Sequence, residues 1–169
     1  VTLYAVWTEK QVLTPDKSVQ TKTYNGDPQA FTLDGFTVSY KQDGQDVTSP
    51  TNVGSYDVVI SHAGNETYAP YPSTTISGGL VITPATLTAP VLTNYTATTT
   101  SITVTAPTVP TGASKVQYSI DNGTNWQDSN VFSGLSSGTS YSVTAKFVAD
   151  TSGNYVDSAN SAALSARTN

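Results

Sequence analysis

Cysteine is absent from this chain of 169 residues, and histidine occurs only once, as His62. Without cysteine the chain can form no disulfide and has no thiolate chemistry. Such a sequence fits a cytosolic protein or a bacterial surface protein that avoids disulfides. Charged residues make up only 11% of the chain. Together with the many Ser and Thr residues, this low charge favours an extracellular location, on a bacterial surface or in the secreted fraction.

Positive charge is also scarce, since the formal net charge is −5 and the isoelectric point is near 4.4. A surface that binds phosphate backbones needs clustered Lys and Arg, so we expect no nucleic-acid partner. No apolar run reaches the roughly 18 residues of a membrane span, and no signal peptide is recognisable. Because the chain starts in the middle of a strand-like pattern, we expect a piece of a longer protein. We expect it to be monomeric, with neighbouring domains of the same chain as its partners.

Helical periodicity is missing as well, because no long window carries an apolar stripe at helical spacing. Thr, Val, Tyr and Ile are typical of half-buried strands, and Gly, Pro, Asn and Asp interrupt them at short intervals. The stretch 78–90 reads as a strand that ends one domain, followed by a connection marked by Pro84 and Pro90. We therefore predict an all-β chain of two tandem β domains. The predicted divisions are residues 1–10, 11–88 and 89–169.

Residues 2–8 alternate in the manner of a strand, with Leu3, Ala5 and Trp7 on one face. Their Leu-Tyr-Ala-x-Trp pattern resembles the closing strand of internalin-type β-grasp repeats of bacterial surface proteins. The resemblance implies that residues 1–10 are left over from an upstream repeat or linker. The alternative is that this strand is the first strand of the next domain.

Residues 11–88 contain turn signals at Asn25-Gly26 and Asp43-Gly44, with alternating strands between them. One strand places Tyr56, Val58 and Ile60 on a single face. Four motifs occur in order: Lys-x-Tyr-Asn-Gly (22–26), Val-Gly-x-Tyr-x-Val (53–58), Gly-Asn-x-x-Tyr (64–68) and Leu-x-Ile-x-Pro-Ala-x-Leu-Thr (80–88). This order resembles the MBG repeats of bacterial surface proteins. The resemblance implies an immunoglobulin-like or grasp-like repeat unit without catalytic residues.

Residues 89–169 repeat the strand pattern at the spacing of a sandwich. The predicted inward positions are Ile102, Val104 and Ala106; Val116, Tyr118 and Ile120; Tyr141, Val143, Ala145 and Phe147; and Ala162, Leu164 and Ala166. The run 134–145, Gly-Leu-Ser-Ser-Gly-Thr-Ser-Tyr-Ser-Val-Thr-Ala, resembles the fibronectin type III signature. The resemblance implies that Leu135 fills the core and that Tyr141 forms a tyrosine corner. Ser137 departs from the family's proline, and Ile102 stands where a core tryptophan is common.

Motifs of catalysis and metal binding are not recognisable. Ser61 and His62 are neighbours on a strand and point to opposite faces, so they predict no nucleophile–base pair, and we expect an exposed histidine at a strand end. Asp121-Asn-Gly-Thr-Asn125 has the oxygen ligands of a calcium loop but lacks its length and its closing glutamate. An Asn-Gly hairpin turn explains the same residues. We expect no enzyme activity, no cofactor and no bound metal.

Aromatic side chains are the candidates for ligand contact: Trp126, Tyr68 and Tyr71. Trp126 could flank the sheet as part of a glycan site, or cap the core in place of the missing tryptophan, which we favour. The three rings exposed together would indicate adhesion, and separate burial would not. A Lys–Asn isopeptide crosslink, which some surface sandwiches contain, would need Lys22, Lys115 or Lys146, and none of these lies in a recognisable motif.

With these resemblances, we predict an all-β chain of two tandem immunoglobulin-like or fibronectin type III-like β-sandwich modules. The sequence thus predicts a non-catalytic spacer or stalk segment of a bacterial surface or secreted protein. Low charge, abundant Ser and Thr, and a short proline-containing joint suit a soluble rod built from repeats. The alternatives are an adhesin module that binds glycan or a host protein, and an accessory module of a secreted glycoside hydrolase.

Overall fold

The computed structural model describes residues 8–169, which belong to two compact units. The first unit ends at Thr83 and the second begins at Pro84. All regular elements of residues 8–169 are β-strands, so the prediction of an all-β chain is confirmed. Residues 8–169 contain no helix long and apolar enough to cross a membrane. The predicted strand over residues 2–8 lies, apart from Thr8, outside the described residues.

The first unit contains one five-stranded sheet in the order β1-β5-β4-β2-β3. Its strands are β1 Gln20–Thr23, β2 Thr37–Gln42, β3 Gln45–Val47, β4 Gly54–His62 and β5 Tyr71–Thr83. Strands β1 and β5 pair in parallel, and the other pairs are antiparallel. Asp43 and Gly44 both have positive φ, of 51° and 79°. Such dihedrals allow the tight turn between β2 and β3 that the Asp-Gly pair predicts.

The core of the first unit lies on the face predicted for β4. Tyr56, Val58 and Ile60 are at most 3% exposed, and Leu80 and Ile82 of β5 are buried beside them. Since side chains alternate along a strand, these positions form one apolar face. Burial of an Ile or Leu side chain contributes about 1.5–3 kcal/mol, so this face supplies much of the stabilisation of the unit.

The layer that covers this face is an irregular segment, residues 24–36, which contains no strand. Phe31 enters the core from it and is 4% exposed. Its backbone N–H donates to the Tyr40 hydroxyl at 2.8 Å. The Gln20 side chain donates to the carbonyl of Thr32 and accepts from its N–H. Side chains of the sheet therefore hold the backbone of the segment in place of a strand partner.

Strand β5 is interrupted by a bulge at Ser77-Gly78-Gly79, where three residues face the single residue Asp57 of β4. The Asp57 carboxylate accepts from the backbone N–H of Gly78 at 2.8 Å and from the Ser77 hydroxyl at 3.1 Å. Gly78 has φ of +59°, and a Cβ at Gly79 would approach Val58 to 2.9 Å. Both glycines are therefore required by the bulge.

The second unit packs two three-stranded sheets, in the orders β10-β8-β7 and β13-β11-β9, around one core. Its strands are β6 Ala85–Thr86, β7 Tyr95–Ala97, β8 Ser101–Val104, β9 Ala113–Ser119, β10 Val131–Ser133, β11 Ser140–Ala149, β12 Tyr155–Val156 and β13 Leu164–Arg167. A further short parallel pair joins β6 to β12. This arrangement is a β-sandwich.

Most of the predicted inward positions are correct, and two are wrong. The buried residues from both sheets are Ile102, Val104, Val116, Tyr118, Phe132, Val143, Ala145, Phe147 and Ala166. Ala106 is exposed because β8 ends at Val104. Ala162 is also exposed, because β13 begins only at Leu164.

Ser158 and Ser161 replace a regular strand beside β11. The N–H of Ala145 donates to the Ser161 hydroxyl at 3.0 Å, and the N–H of Phe147 donates to the Ser158 hydroxyl at 2.9 Å. The serine N–H groups donate back to the carbonyls of Ala145 and Phe147. Both serines are less than 9% exposed. Their hydroxyls satisfy buried backbone donors that would otherwise be unpaired.

The tyrosine corner implied by the fibronectin-like signature is present. The Tyr141 hydroxyl accepts from the backbone N–H of Ser136 at 2.9 Å, and Leu135 packs half-buried against the core. The loop therefore closes without the family's usual proline at Ser137.

Candidate functional site

The described residues do not assemble a metal-binding cluster. Among residues 8–169, no three His, Asp or Glu side chains are close enough to hold a metal ion. His62 ends β4 and is half-buried rather than exposed, so that part of the prediction is wrong. Its Nδ1 accepts from the N–H of Gly64 at 2.9 Å, which places the ring proton of the neutral form on Nε2.

A cleft of about 320 Å³ opens beside His62 in the first unit. Its lining residues are Leu13, Asp34, Gly35, Phe36, His62, Asn65 and Tyr68. The ring centroids of Phe36 and His62 are 5.9 Å apart, and those of His62 and Tyr68 are 6.3 Å apart. The register Thr37↔Ser61 between β2 and β4 brings Phe36 next to His62. A predicted contact residue, Tyr68, therefore lies in a cleft with two other rings.

The polar groups of this cleft include both donors and acceptors. Asn65 Oδ1 accepts from the N–H groups of Thr67 and Tyr68 at 2.9 and 2.7 Å, which leaves its amide nitrogen as a donor. The Asp34 carboxylate, which is an acceptor, forms no ion pair or hydrogen bond with the other described residues. A ligand with hydroxyl groups, which donate and accept, matches this mixture.

Tyr71 lies outside the cleft lining but continues the same aromatic cluster. Its ring packs edge-on against Phe36, with centroids 5.4 Å apart, and the Lys17 ammonium lies 5.6 Å from the ring centroid. Hydrogen bonding with Lys17 is the main cause that lowers the pKa of the Tyr71 hydroxyl from its usual value. Tyr71 is half-buried against the core of the first unit.

Trp126 belongs to the second unit and is half-buried. Its Nε1 donates to the Gly123 carbonyl at 3.0 Å, and the Lys146 ammonium lies 4.9 Å from its ring centroid. Lys146 also pairs with Asp157 at 3.5 Å, on the outer face of β11. Trp126 is not among the side chains packed against the core. The interpretation of Trp126 as a core cap is therefore wrong, and the ring covers an outer lysine instead.

The predicted hairpin turn at Asn122-Gly123 is present, and the Asp121 carboxylate organises it. This carboxylate accepts from the N–H of Thr124, from the N–H and the amide of Asn125, and from the Ser119 hydroxyl, at 2.6–3.1 Å. Hydrogen bonds from Asn125 are the largest cause that lowers the pKa of Asp121 to about 2. Because these donors occupy the carboxylate, the turn explains the residues without calcium.

A cleft of about 530 Å³ in the second unit was not predicted from the sequence. Prolines, threonines and apolar residues line it: Thr86, Leu87, Thr88, Ala89, Pro90, Val91, Pro107, Thr108, Pro110, Thr111, Phe147 and Tyr155. No charged side chain lines it, so it offers neither an acid–base pair nor a cation site. In the sequence, only the runs rich in Pro and Thr at 86–91 and 107–111 indicated this cleft.

Comparisons with known proteins identify no family for this chain. No protein-family model matches it, and no curated protein is significantly similar to it. Among solved structures, the crystal structure of domains A168-A170 from titin is similar to it at 13% identity and a TM-score of 0.27. That match covers 87% of this chain and 61% of the titin chain. A TM-score this low carries no argument, so the fold assignment depends on the strand topology.

Proposed function

We propose that the two units are non-catalytic structural modules that serve as a spacer segment in a larger extracellular protein of a bacterium. We further propose that the first is an MBG-type repeat and the second a fibronectin type III-type module. In this role the modules hold a distal domain away from the surface, and their partners are neighbouring domains of the same chain.

The observation that carries the proposal is the connection between the units. The Tyr24 N–H donates to the Thr83 carbonyl at 2.8 Å, so a hydrogen bond within the first unit fixes Thr83, the last residue of β5. The Ala85 N–H donates to the Asn154 carbonyl at 3.0 Å, so a hydrogen bond within the second unit fixes Ala85, the first residue of β6. Only Pro84 lies between these two anchored residues, and its ring fixes φ. A connection of one proline suits a spacer better than a flexible tether.

The use of polar side chains supports the same proposal. Asp121, Asp57 and Ser161 each hold backbone N–H groups of turns, bulges or strands. Lys41 and Lys115 pair with exposed aspartates on strand faces. Groups that elsewhere serve as acids, bases or ligands thus maintain the fold in this chain.

A second candidate function, glycan binding, is favoured by the cleft at Tyr68. Sugars offer C–H faces that pack on aromatic rings and hydroxyl groups that both donate and accept. The cleft supplies the Tyr68 and Phe36 rings, the Asp34 carboxylate and the Asn65 amide within about 320 Å³. This candidate makes the first unit an adhesive module and leaves the connection unchanged.

A glycan and mucin binding screen of the whole chain separates the two candidates. Tyr68→Ala and Trp126→Ala are tested beside the unchanged protein, and each variant is the control of the other for loss of an aromatic ring. The spacer proposal expects no specific binding by any of these folded proteins. Specific binding that Tyr68→Ala alone abolishes would replace it with adhesion through the cleft. Loss with Trp126→Ala instead would place adhesion on the second unit.

A further inference from the structure

The chain contains two Asn-Gly pairs in exposed turns, Asn25-Gly26 and Asn122-Gly123. Both asparagines are exposed, and both glycines have positive φ, of 88° and 84°. Asparagine before glycine is prone to spontaneous deamidation, because the following residue has no side chain to shield its backbone nitrogen. The two turns therefore share the reactive dipeptide, and any difference in their reactivity must come from the surrounding structure.

The reaction needs only water besides the chain itself. The Gly nitrogen loses its proton to solvent and attacks the Asn Cγ, and a tetrahedral oxyanion forms at Oδ1. Solvent gives a proton to Nδ2, the Cγ–Nδ2 bond breaks and ammonia leaves, and the oxyanion becomes a carbonyl of the five-membered succinimide. Water opens this ring at either carbonyl to give aspartate or isoaspartate. In total, one water is consumed and one ammonia is released.

At Asn25 the structure assists this reaction. Asn25 Oδ1 accepts from the Asp27 N–H at 3.0 Å and from the Gln29 amide at 2.5 Å. Both donors point at the oxygen that becomes negative during the attack, which is the arrangement that stabilises an oxyanion. The N–H of Gly26 has no hydrogen-bond acceptor among residues 8–169. No heavy atom beyond Gly26 and its two chain neighbours lies within 4 Å of the Cβ position of Gly26, so the turn has room to rearrange.

At Asn122 the structure opposes it. The N–H of Gly123, the nucleophile, donates to the Ser119 hydroxyl at 2.8 Å, and Ser119 is 1% exposed. The Cβ position of Gly123 lies 3.2 Å from both the Trp126 ring and the Asn160 amide. Asn122 itself has φ of 58°, fixed by the hairpin. A buried acceptor thus holds the attacking nitrogen within a crowded turn.

We propose that Asn25 is a spontaneous deamidation site and that the fold protects Asn122 from the same reaction. Conversion of Asn25 adds one negative charge to the formal net charge of −5. Isoaspartate also inserts the side-chain methylene into the backbone beside Tyr24, whose N–H donates to Thr83 at the end of β5. Modified molecules therefore accumulate with age, with an altered turn next to β1.

The test is prolonged incubation of the whole protein in mildly alkaline buffer, followed by digestion and mass spectrometry. Peptides with Asn25 and Asn122 are followed through the mass gain of replacing NH2 by OH. The expected result is deamidation at Asn25 about tenfold or more faster than at Asn122, which corresponds to at least about 1.4 kcal/mol in barrier height. Equal rates, faster reaction at Asn122 or no reaction at Asn25 would each overturn the proposal.

Two variants and one control assign the difference to the named contacts. Gln29→Ala removes a donor to Asn25 Oδ1 and is expected to slow Asn25 alone. Ser119→Ala frees the Gly123 nitrogen and is expected to accelerate Asn122 alone. In the chain unfolded by denaturant, both sites are expected to react at similar rates. A difference that persists after unfolding would show that local sequence, rather than the fold, causes it, and would refute the proposal.

Discussion

The two units bury their cores in different ways. The second unit encloses its core between two three-stranded sheets, whereas the first covers one five-stranded sheet with the irregular segment 24–36. In both units, polar side chains make backbone hydrogen bonds at some of the places where strand pairing stops. Ser158 and Ser161 do so in the second unit, and Tyr40 and Gln20 in the first. The comparison gives a structural reason for a composition rich in hydroxyl groups.

The most disruptive test of the comparison is a cavity in one core. Leu80→Ala in the first unit and Ile102→Ala in the second each remove a side chain that is 0% exposed. Each is expected to lower the free energy of unfolding of its own unit by about 2–5 kcal/mol. Residue-resolved NMR during urea titration measures the two units separately. If either variant shifted both units equally, the account of two separate cores would be wrong.

A smaller loss is expected when a serine that replaces strand pairing is removed. Ser161→Ala leaves the buried N–H of Ala145 without an acceptor, which costs about 1–3 kcal/mol. Ser165→Ala is the control, because Ser165 is exposed on β13, and it should change the free energy of unfolding by less than about 0.5 kcal/mol. Urea denaturation of the second unit measures the change in the free energy of unfolding for both variants. Equal effects of the two variants would contradict the role given to Ser161.

The hydroxyls of Tyr40 and Tyr141 offer a direct comparison between the units. Each accepts from a backbone N–H of a segment without strand partners, that of Phe31 and that of Ser136 respectively. Tyr→Phe at either position is expected to lower the free energy of unfolding of its unit by about 0.5–1.5 kcal/mol. The loss of stability should be larger for Tyr40→Phe, because the hydrogen bond of Tyr40 is partly buried and that of Tyr141 is exposed. The reverse order in urea denaturation would argue that the corner of the second unit is the more important of the two.

The smallest effect is expected from the titration of Asp121 in the second unit. The pKa of this carboxyl group is lowered to about 2 in the folded chain, below the value of about 3.9 for an unfolded one. The stabilisation it gives is therefore complete above about pH 4 and is lost as the pH falls through about 2. Asp121→Asn should weaken the acid dependence of the second unit in denaturation curves, and Asp128 and Asp150, whose pKa values are also lowered by hydrogen bonds, should maintain the rest. A variant that kept the same dependence on pH would rule Asp121 out as its source.

Alternation in the sequence predicts the buried faces well where strands are regular, as at Val58 and Ile60 or at Ile102 and Val104. It fails where a distant residue determines the backbone. Strand β5 begins at Tyr71, before the strand predicted from residue 78, and its bulge at Gly78 depends on Asp57, which lies 21 residues away. Such a contact has no local signal.

The same limit applies to the serines and to the candidate cleft. Ala162 was predicted to be buried, but its neighbour Ser161 is buried instead. The Ser161 hydroxyl can accept from a strand N–H, and a methyl group cannot. Tyr68 was predicted as a contact residue from its aromatic ring. Its neighbours Phe36 and Asp34 were not, because the register of β2 on β4 brings them there.

The central claim is that Pro84 makes a stiff connection between two modules of a spacer. Small-angle X-ray scattering of the whole chain tests it against a variant with a Gly-Ser segment inserted between Pro84 and Ala85. The account predicts a narrow distribution of maximum dimensions for the unchanged chain and a clearly broader one for the variant. A distribution equally broad for both proteins would contradict the spacer account.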